Sequence, residues 1–184
     1  MPVKTRSKIA GGPRERCMRN RLVLLGLWLT LVVNGCASGP TLETYKPKSQ
    51  DEALIISMLI RIPNGIKARS VDMILMPYAE DVYVGNFQKY LGVAGPTAPP
   101  SLSKSDLRDV YTQVFRASKE ISMDVKDLRL TVAGDRAAAE ASTELLFKRE
   151  AARGEKREEV FRNNVTWRLR HTPAGWKIVE EMWQ

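Results

Sequence analysis

Reactive and metal-binding side chains are scarce in this 184-residue chain. It has two cysteines, Cys17 and Cys36, and one histidine, His171. Too few Cys and His are present to build a zinc site from the usual ligands, and a fold stapled by several disulfides is excluded. His171 stands in His171-Thr172-Pro173-Ala174-Gly175, whose Pro and Gly mark a hairpin turn, so it reads as a solvated turn residue. No Gly-rich phosphate loop, P-loop lysine or nucleophile elbow occurs. No metal, no cofactor and no catalytic residue is expected. A long uncharged apolar run is also missing. Leu22 to Val33 is the most apolar stretch, it breaks at Asn34-Gly35, and a membrane-spanning helix needs about 20 residues.

Basic charge is plentiful but unevenly placed. The chain has 29 basic and 21 acidic residues, net +8. Residues 1–35 hold seven of the basic and one of the acidic residues, which leaves 22 and 20, net +2, for the remainder. A nucleic-acid-binding domain carries its basic stripe in the folded part, so no nucleic-acid partner is expected.

The stretch Leu22 to Cys36, LVLLGLWLTLVVNGC, follows basic residues and ends in a small residue and a cysteine. Basic lead, short apolar middle and small residue at the cut are the parts of a secretory signal. The stretch resembles a bacterial lipoprotein signal, in which cleavage precedes the cysteine and lipid is attached to its sulfur. That resemblance implies a signal over 1–35, lipidation of Cys36 and a membrane held through the anchor. Ala37 in place of Asp points to the outer membrane of the bacterial envelope, facing the periplasm. Met18 to Cys36 is already a complete signal, so translation starting at Met18 is a second reading. Residues 36–49 are small, polar and Pro-containing and read as a tether. A domain over 50–184 follows.

The domain opens with Ser49 and Glu52 at capping-box spacing. Leu54, Ile55, Met58, Leu59 and Ile62 follow at helical period, and Pro63-Asn64-Gly65 is expected to stop the helix. A second helix carries Val71, Ile74 and Leu75 and ends at Pro77. A short strand covers 81–85, and a Gly- and Pro-rich loop covers 92–100. The third helix begins near Ser103, with Leu107, Val110, Tyr111, Val114 and Phe115 on one face.

The period then changes to two. One strand runs over 121–132 with a bulge at Lys126-Asp127. The next, over 137–149, sets Ala139, Ala141, Thr143, Leu145 and Phe147 on one face. A charged hairpin turns at Arg153-Gly154. The strand over 160–170 aligns Phe161, Asn163, Val165, Trp167 and Leu169, and the last strand runs from Trp176 to Trp183, with Trp176, Ile178 and Met182 read as core. Helices followed by a meander of long strands make an α+β domain.

Two stretches, ISMDVKDLRLTVAGDRAAAEA (121–141) and VTWRLRHTPAGWKIVEEMW (165–183), resemble the nuclear transport factor 2-like superfamily, near its SnoaL-like branch. The resemblance implies a cone-shaped roll of cystatin-like architecture, with three N-terminal helices packed on a curved antiparallel sheet. It also implies an apolar pocket and a homodimer formed through the sheet face. Tyr78, Tyr83, Asn86, Asn163 and Trp167 are the candidate pocket residues. In isomerase relatives a catalytic carboxylate falls where Asn86 stands, and Asn cannot abstract a proton. The first helix offers no Tyr, and Asp81 or Glu144 would have to serve as a base. The reading is a lipid-anchored envelope protein that binds a small apolar ligand or a partner protein without catalysis. Its alternatives are an isomerase- or dehydratase-type enzyme using the same pocket, and a structural subunit of an envelope assembly.

Overall fold

The computed structural model describes residues 39–87, 101–150 and 156–184. The signal stretch, Cys36, the second start at Met18, the 92–100 loop and the Arg153-Gly154 turn lie outside these residues. Among the described residues, no helix is long and apolar enough to cross a membrane.

Ser49 caps helix α1 (Gln50–Leu59) by accepting the Glu52 N–H at 3.1 Å. The Glu52 carboxylate reaches past the cap, taking the Lys48 N–H at 2.7 Å and the Tyr45 hydroxyl at 3.2 Å. The helical path does not end at Pro63, as the sequence suggests. It passes through Ile60, itself in a right-handed helical conformation, and continues as α2 (Arg61–Ala68). Pro63 has no N–H for the Leu59 carbonyl, yet it sits in the first turn of α2, where that loss is tolerated. Gly65 serves close packing instead of helix termination. A Cβ there would stand 2.7 Å from Ile74 Cγ1 on α3 (Val71–Leu75).

Strand β1 (Tyr78–Gly85) and the two-residue β2 (Ser101–Leu102) precede α4 (Lys104–Ala117). A full capping box starts α4. Ser103 Oγ takes the Asp106 N–H, and the Asp106 carboxylate takes the Ser103 N–H at 2.8 Å. Leu107, Tyr111, Val114 and Phe115 are buried on the predicted face. The chain then forms β3 (Glu120–Ala133), β4 (Arg136–Glu150), β5 (Lys156–Thr172) and β6 (Gly175–Trp183).

The six strands form one sheet in the order β2-β1-β6-β5-β4-β3. The long meander β3 to β6 is antiparallel, as its hairpin connections require, whereas β1 lies parallel to β6. The sheet is therefore mixed, and the architecture is the expected α+β cone. The helices cover its inner face, where Ile55, Leu59, Ile66, Leu107, Leu145 and Phe147 pack. The β3 bulge is present. Lys126 faces Ser142 and Arg129 faces Glu140, with Asp127 at φ 56°. The tether expected over 36–49 differs from Gly39 onward. Gly39 N–H donates to Asp127 Oδ1 at 2.6 Å, Leu128 N–H donates to the Pro40 carbonyl at 3.0 Å, and Leu42 is buried.

Candidate functional site

Among the described residues, strand β6 places the one acidic side chain that enters the interior at full depth. Trp176 and Ile178 point inward. Leu169 then faces Ile178 and Arg168 faces Glu180, so Val179 is an extra residue on β6. A one-residue bulge exchanges the faces of everything beyond it. Glu181 and Trp183 therefore point into the core, each 1% exposed. Met182, expected in the core, lies half-buried on the other side, in the space that a Gly85 Cβ would need.

Three neutral donors converge on Glu181. Its Oε2 accepts from the Tyr78 hydroxyl at 2.5 Å and from Trp167 Nε1 at 2.8 Å, and its Oε1 accepts from Trp183 Nε1 at 2.7 Å. Tyr78 comes from the start of β1, Trp167 from the register neighbour of Glu181 on β5, and Trp183 from β6 itself. All four side chains are buried. Burial pushes the Glu181 carboxyl above its usual range, and the three hydrogen bonds pull back against that shift. The cluster continues as packed aromatics. Phe87 meets Trp183 and Tyr111 edge-on, with ring centroids 6.3 and 6.0 Å away.

Of the candidate residues read from the sequence, Tyr78 and Trp167 come together on Glu181. Tyr83 is 48% exposed on the opposite face of β1. Asn86 ends that strand at φ 58°, exposed, and donates through Nδ2 to the Trp183 carbonyl at 3.2 Å. Asn163 is half-buried on β5, four residues before Trp167, and its carbonyl accepts the Thr143 hydroxyl at 3.1 Å. Cys36 lies outside the described residues. Glu181 was not among the candidates. The signal for it was the odd spacing between Ile178 and Trp183, which an unbroken alternation cannot place on one face.

The two carboxylates considered as alternative bases sit elsewhere. Asp81 pairs with Arg170 at 3.1 Å and Glu144 with Arg162 at 2.9 Å, both at the surface. The arginine hydrogen bond is the first cause holding each carboxyl below its ordinary range. His171 is exposed but lies one step before the expected turn, near the end of β5 and paired with Trp176, whose ring it meets edge-on at 5.2 Å. Among the described residues, no three His, Cys, Asp or Glu side chains group closely enough to hold a metal ion.

Chemically, a buried acid with a raised pKa beside a phenol has the ingredients of general acid catalysis. Catalysis also needs a substrate within hydrogen-bond reach. Here both carboxylate oxygens are taken by protein donors. Two open grooves among the described residues lie elsewhere. One of about 330 Å³ runs over the outer sheet face past Arg129, Glu140, Ser142, Asn164, Thr166 and Gln184, and one of about 450 Å³ lies between α2 and β3. Neither is lined by the four clustered residues.

Among solved structures, the chain is similar to a Kribbella flavida protein (TM-score 0.61, 16% identity, 73% of this chain and 89% of that one). It is also similar to a ketosteroid isomerase-like protein from Erwinia carotovora atroseptica (TM-score 0.54, 18% identity, 73% and 95%). A third is a nuclear transport factor 2-like protein with a cystatin-like fold from Novosphingobium aromaticivorans (TM-score 0.53, 15% identity, 88% and 88%). At these identities the likeness is one of fold. Compared by sequence with curated proteins, the chain matches none. The model of one sequence family, the SnoaL-like domain, matches residues 81–182, more than half of the chain. By that match the chain belongs to the SnoaL-like domain family.

Proposed function

We propose that this is a lipid-anchored protein of the bacterial envelope, facing the periplasm, whose SnoaL-like domain docks a partner protein and does not catalyse a reaction. The observation that carries the reading is the closed hydrogen-bonded cluster around Glu181. Inside the sheet, Tyr78, Trp167 and Trp183 donate to Glu181 and take both of its carboxylate oxygens. The same observation weighs against a small apolar ligand inside the cone. The groove over β4 and β5, with its Ser, Asn, Thr and Gln side chains, suits a polar protein surface better than a lipid-like molecule.

The runner-up is an enzyme in which Glu181 is the acid and Tyr78 its hydrogen-bonding partner. Its support is the raised carboxyl pKa and the named isomerase-like neighbour. Purified residues 39–184, screened against steroid enones and polyketide-like substrates, separate the two. The docking reading expects no turnover. Turnover that disappears in Glu181→Gln and Tyr78→Phe, with both variants folded, would replace it with the enzyme.

A further inference from the structure

The point where the chain joins the domain has a consequence for how the domain faces a membrane. The bulge in β3 gives Asp127 a left-handed conformation and leaves the outer edge of that strand available beside it. Residues 39–42 occupy that edge. Gly39 N–H bonds Asp127 Oδ1, the Pro40 carbonyl takes the Leu128 N–H, and Leu42 is buried in the core. A Cβ on Gly39 would stand 2.8 Å from Asp127 Cα, so the two backbones touch. Further along, Tyr45 is tied to Glu52. The free connection is thus far shorter than the composition of 36–49 suggests.

Only Ala37 and Ser38 separate Cys36 from the first fixed residue. Three residue steps reach at most about 11 Å, and the headgroup layer of a leaflet is itself about 5–8 Å deep. We propose that residues 39–42 form a seat that holds the domain flush on the lipid leaflet, with the bulged edge of β3 toward the bilayer. This rests on the reading that Cys36 carries the lipid. The orientation comes from chain length and not from charge attraction. Lys126 lies 4.0 Å from Glu144, and Arg129 faces Glu140 across the strand pair, so the basic groups at the bulge already have acidic neighbours. A neutral leaflet therefore suffices. The opposite end of the sheet points away. From Thr131 through Ala138, Arg168 and Glu180 to Tyr83 the register crosses four strand spacings, about 19 Å. The seat leaves the side of the sheet formed by β1 and β2 open to the periplasm.

The test uses the full, lipidated protein in phosphatidylcholine vesicles that contain a headgroup-attached quencher. A dye is placed on Arg129→Cys or on Tyr83→Cys, the only free thiol once Cys36 is modified. The seat predicts at least threefold stronger quenching at 129 than at 83, unchanged by added salt. A ten-residue Gly/Ser insertion between Ser38 and Gly39 should abolish the difference while the protein still floats with the vesicles. Equal quenching without the insertion, or a difference that survives it, overturns the seat and leaves the anchor standing. A protein that fails to float, or floats equally well as Cys36→Ser, overturns the anchor and the seat with it.

Discussion

Carboxylates occur on both sides of the sheet, and the two sides treat them oppositely. On the outer face, half-buried Glu144 and exposed Asp81 pair with Arg162 and Arg170, which lower their pKa values. Inside, Glu181 meets three neutral donors, and burial raises its pKa. Exposed pairs of the first kind contribute little, because water screens them and long side chains must be held still. A buried acceptor shared by three donors is a different object. Removing it strands donors that cannot reach water, and each such loss costs about 1–3 kcal/mol. Residue type alone therefore says little about what a carboxylate does in this domain.

The contrast gives a ranking. The largest effect is expected from Glu181→Ala, which should lower stability by about 3 kcal/mol or more and the melting temperature by about 10 °C, read by thermal unfolding of residues 39–184. Leu42→Ala should follow, at about 2–5 kcal/mol for a buried leucine in the seat, measured by denaturant titration. Gly65→Ala should cost about 1–3 kcal/mol through the clash with Ile74. A cost near zero there would mean that α2 and α3 can shift apart.

The pH dependence separates the two faces by sign. The folded state raises the Glu181 pKa above its unfolded value, so it favours the protonated form. The stability tied to that group is full below the ordinary glutamate value of about 4.3 and falls as pH rises through the folded value. Asp81 and Glu144 behave in the reverse sense. Their contribution is present above the ordinary carboxylate range and fades as pH drops through their lowered values. Melting curves of the wild type and Glu181→Gln, compared from mildly acidic to neutral pH, should diverge in slope, with only the wild type losing stability to ionisation of this residue. The smallest effect belongs to Asp81→Asn and Glu144→Gln, which should barely move the melting temperature at neutral pH.

Much of the architecture was legible because it rests on periodicity. The 3.6-residue pattern of Leu107, Tyr111 and Val114 gave α4, and the alternation of Ala139 to Phe147 gave β4 its inner face. What stayed hidden depends on single-residue offsets and on distant contacts. The extra residue at Val179 reverses the faces of Glu181, Met182 and Trp183, and a composition-based reading of strand EEMW puts the methionine inside. Pro63-Asn64-Gly65 looks like a stop, yet Gly65 is small because Ile74 lies against it. Residues 39–42 look like linker by composition, since the partners that fix them sit 88 residues away at Asp127. Tyr78 and Trp167 stand out as polar-tipped aromatics, whereas the acid they share is signalled only by the odd spacing between Ile178 and Trp183.

Access to the interior can be probed directly through its own indoles. Residues 39–184 contain Trp167, Trp176 and Trp183, all buried, so their fluorescence reports access of a small solute to the cone. Acrylamide should quench the folded domain to only a small fraction of the extent seen after unfolding in denaturant. Quenching of the folded domain close to that of the unfolded chain would mean that the interior is open to molecules of substrate size, and the non-catalytic account would lose its foundation.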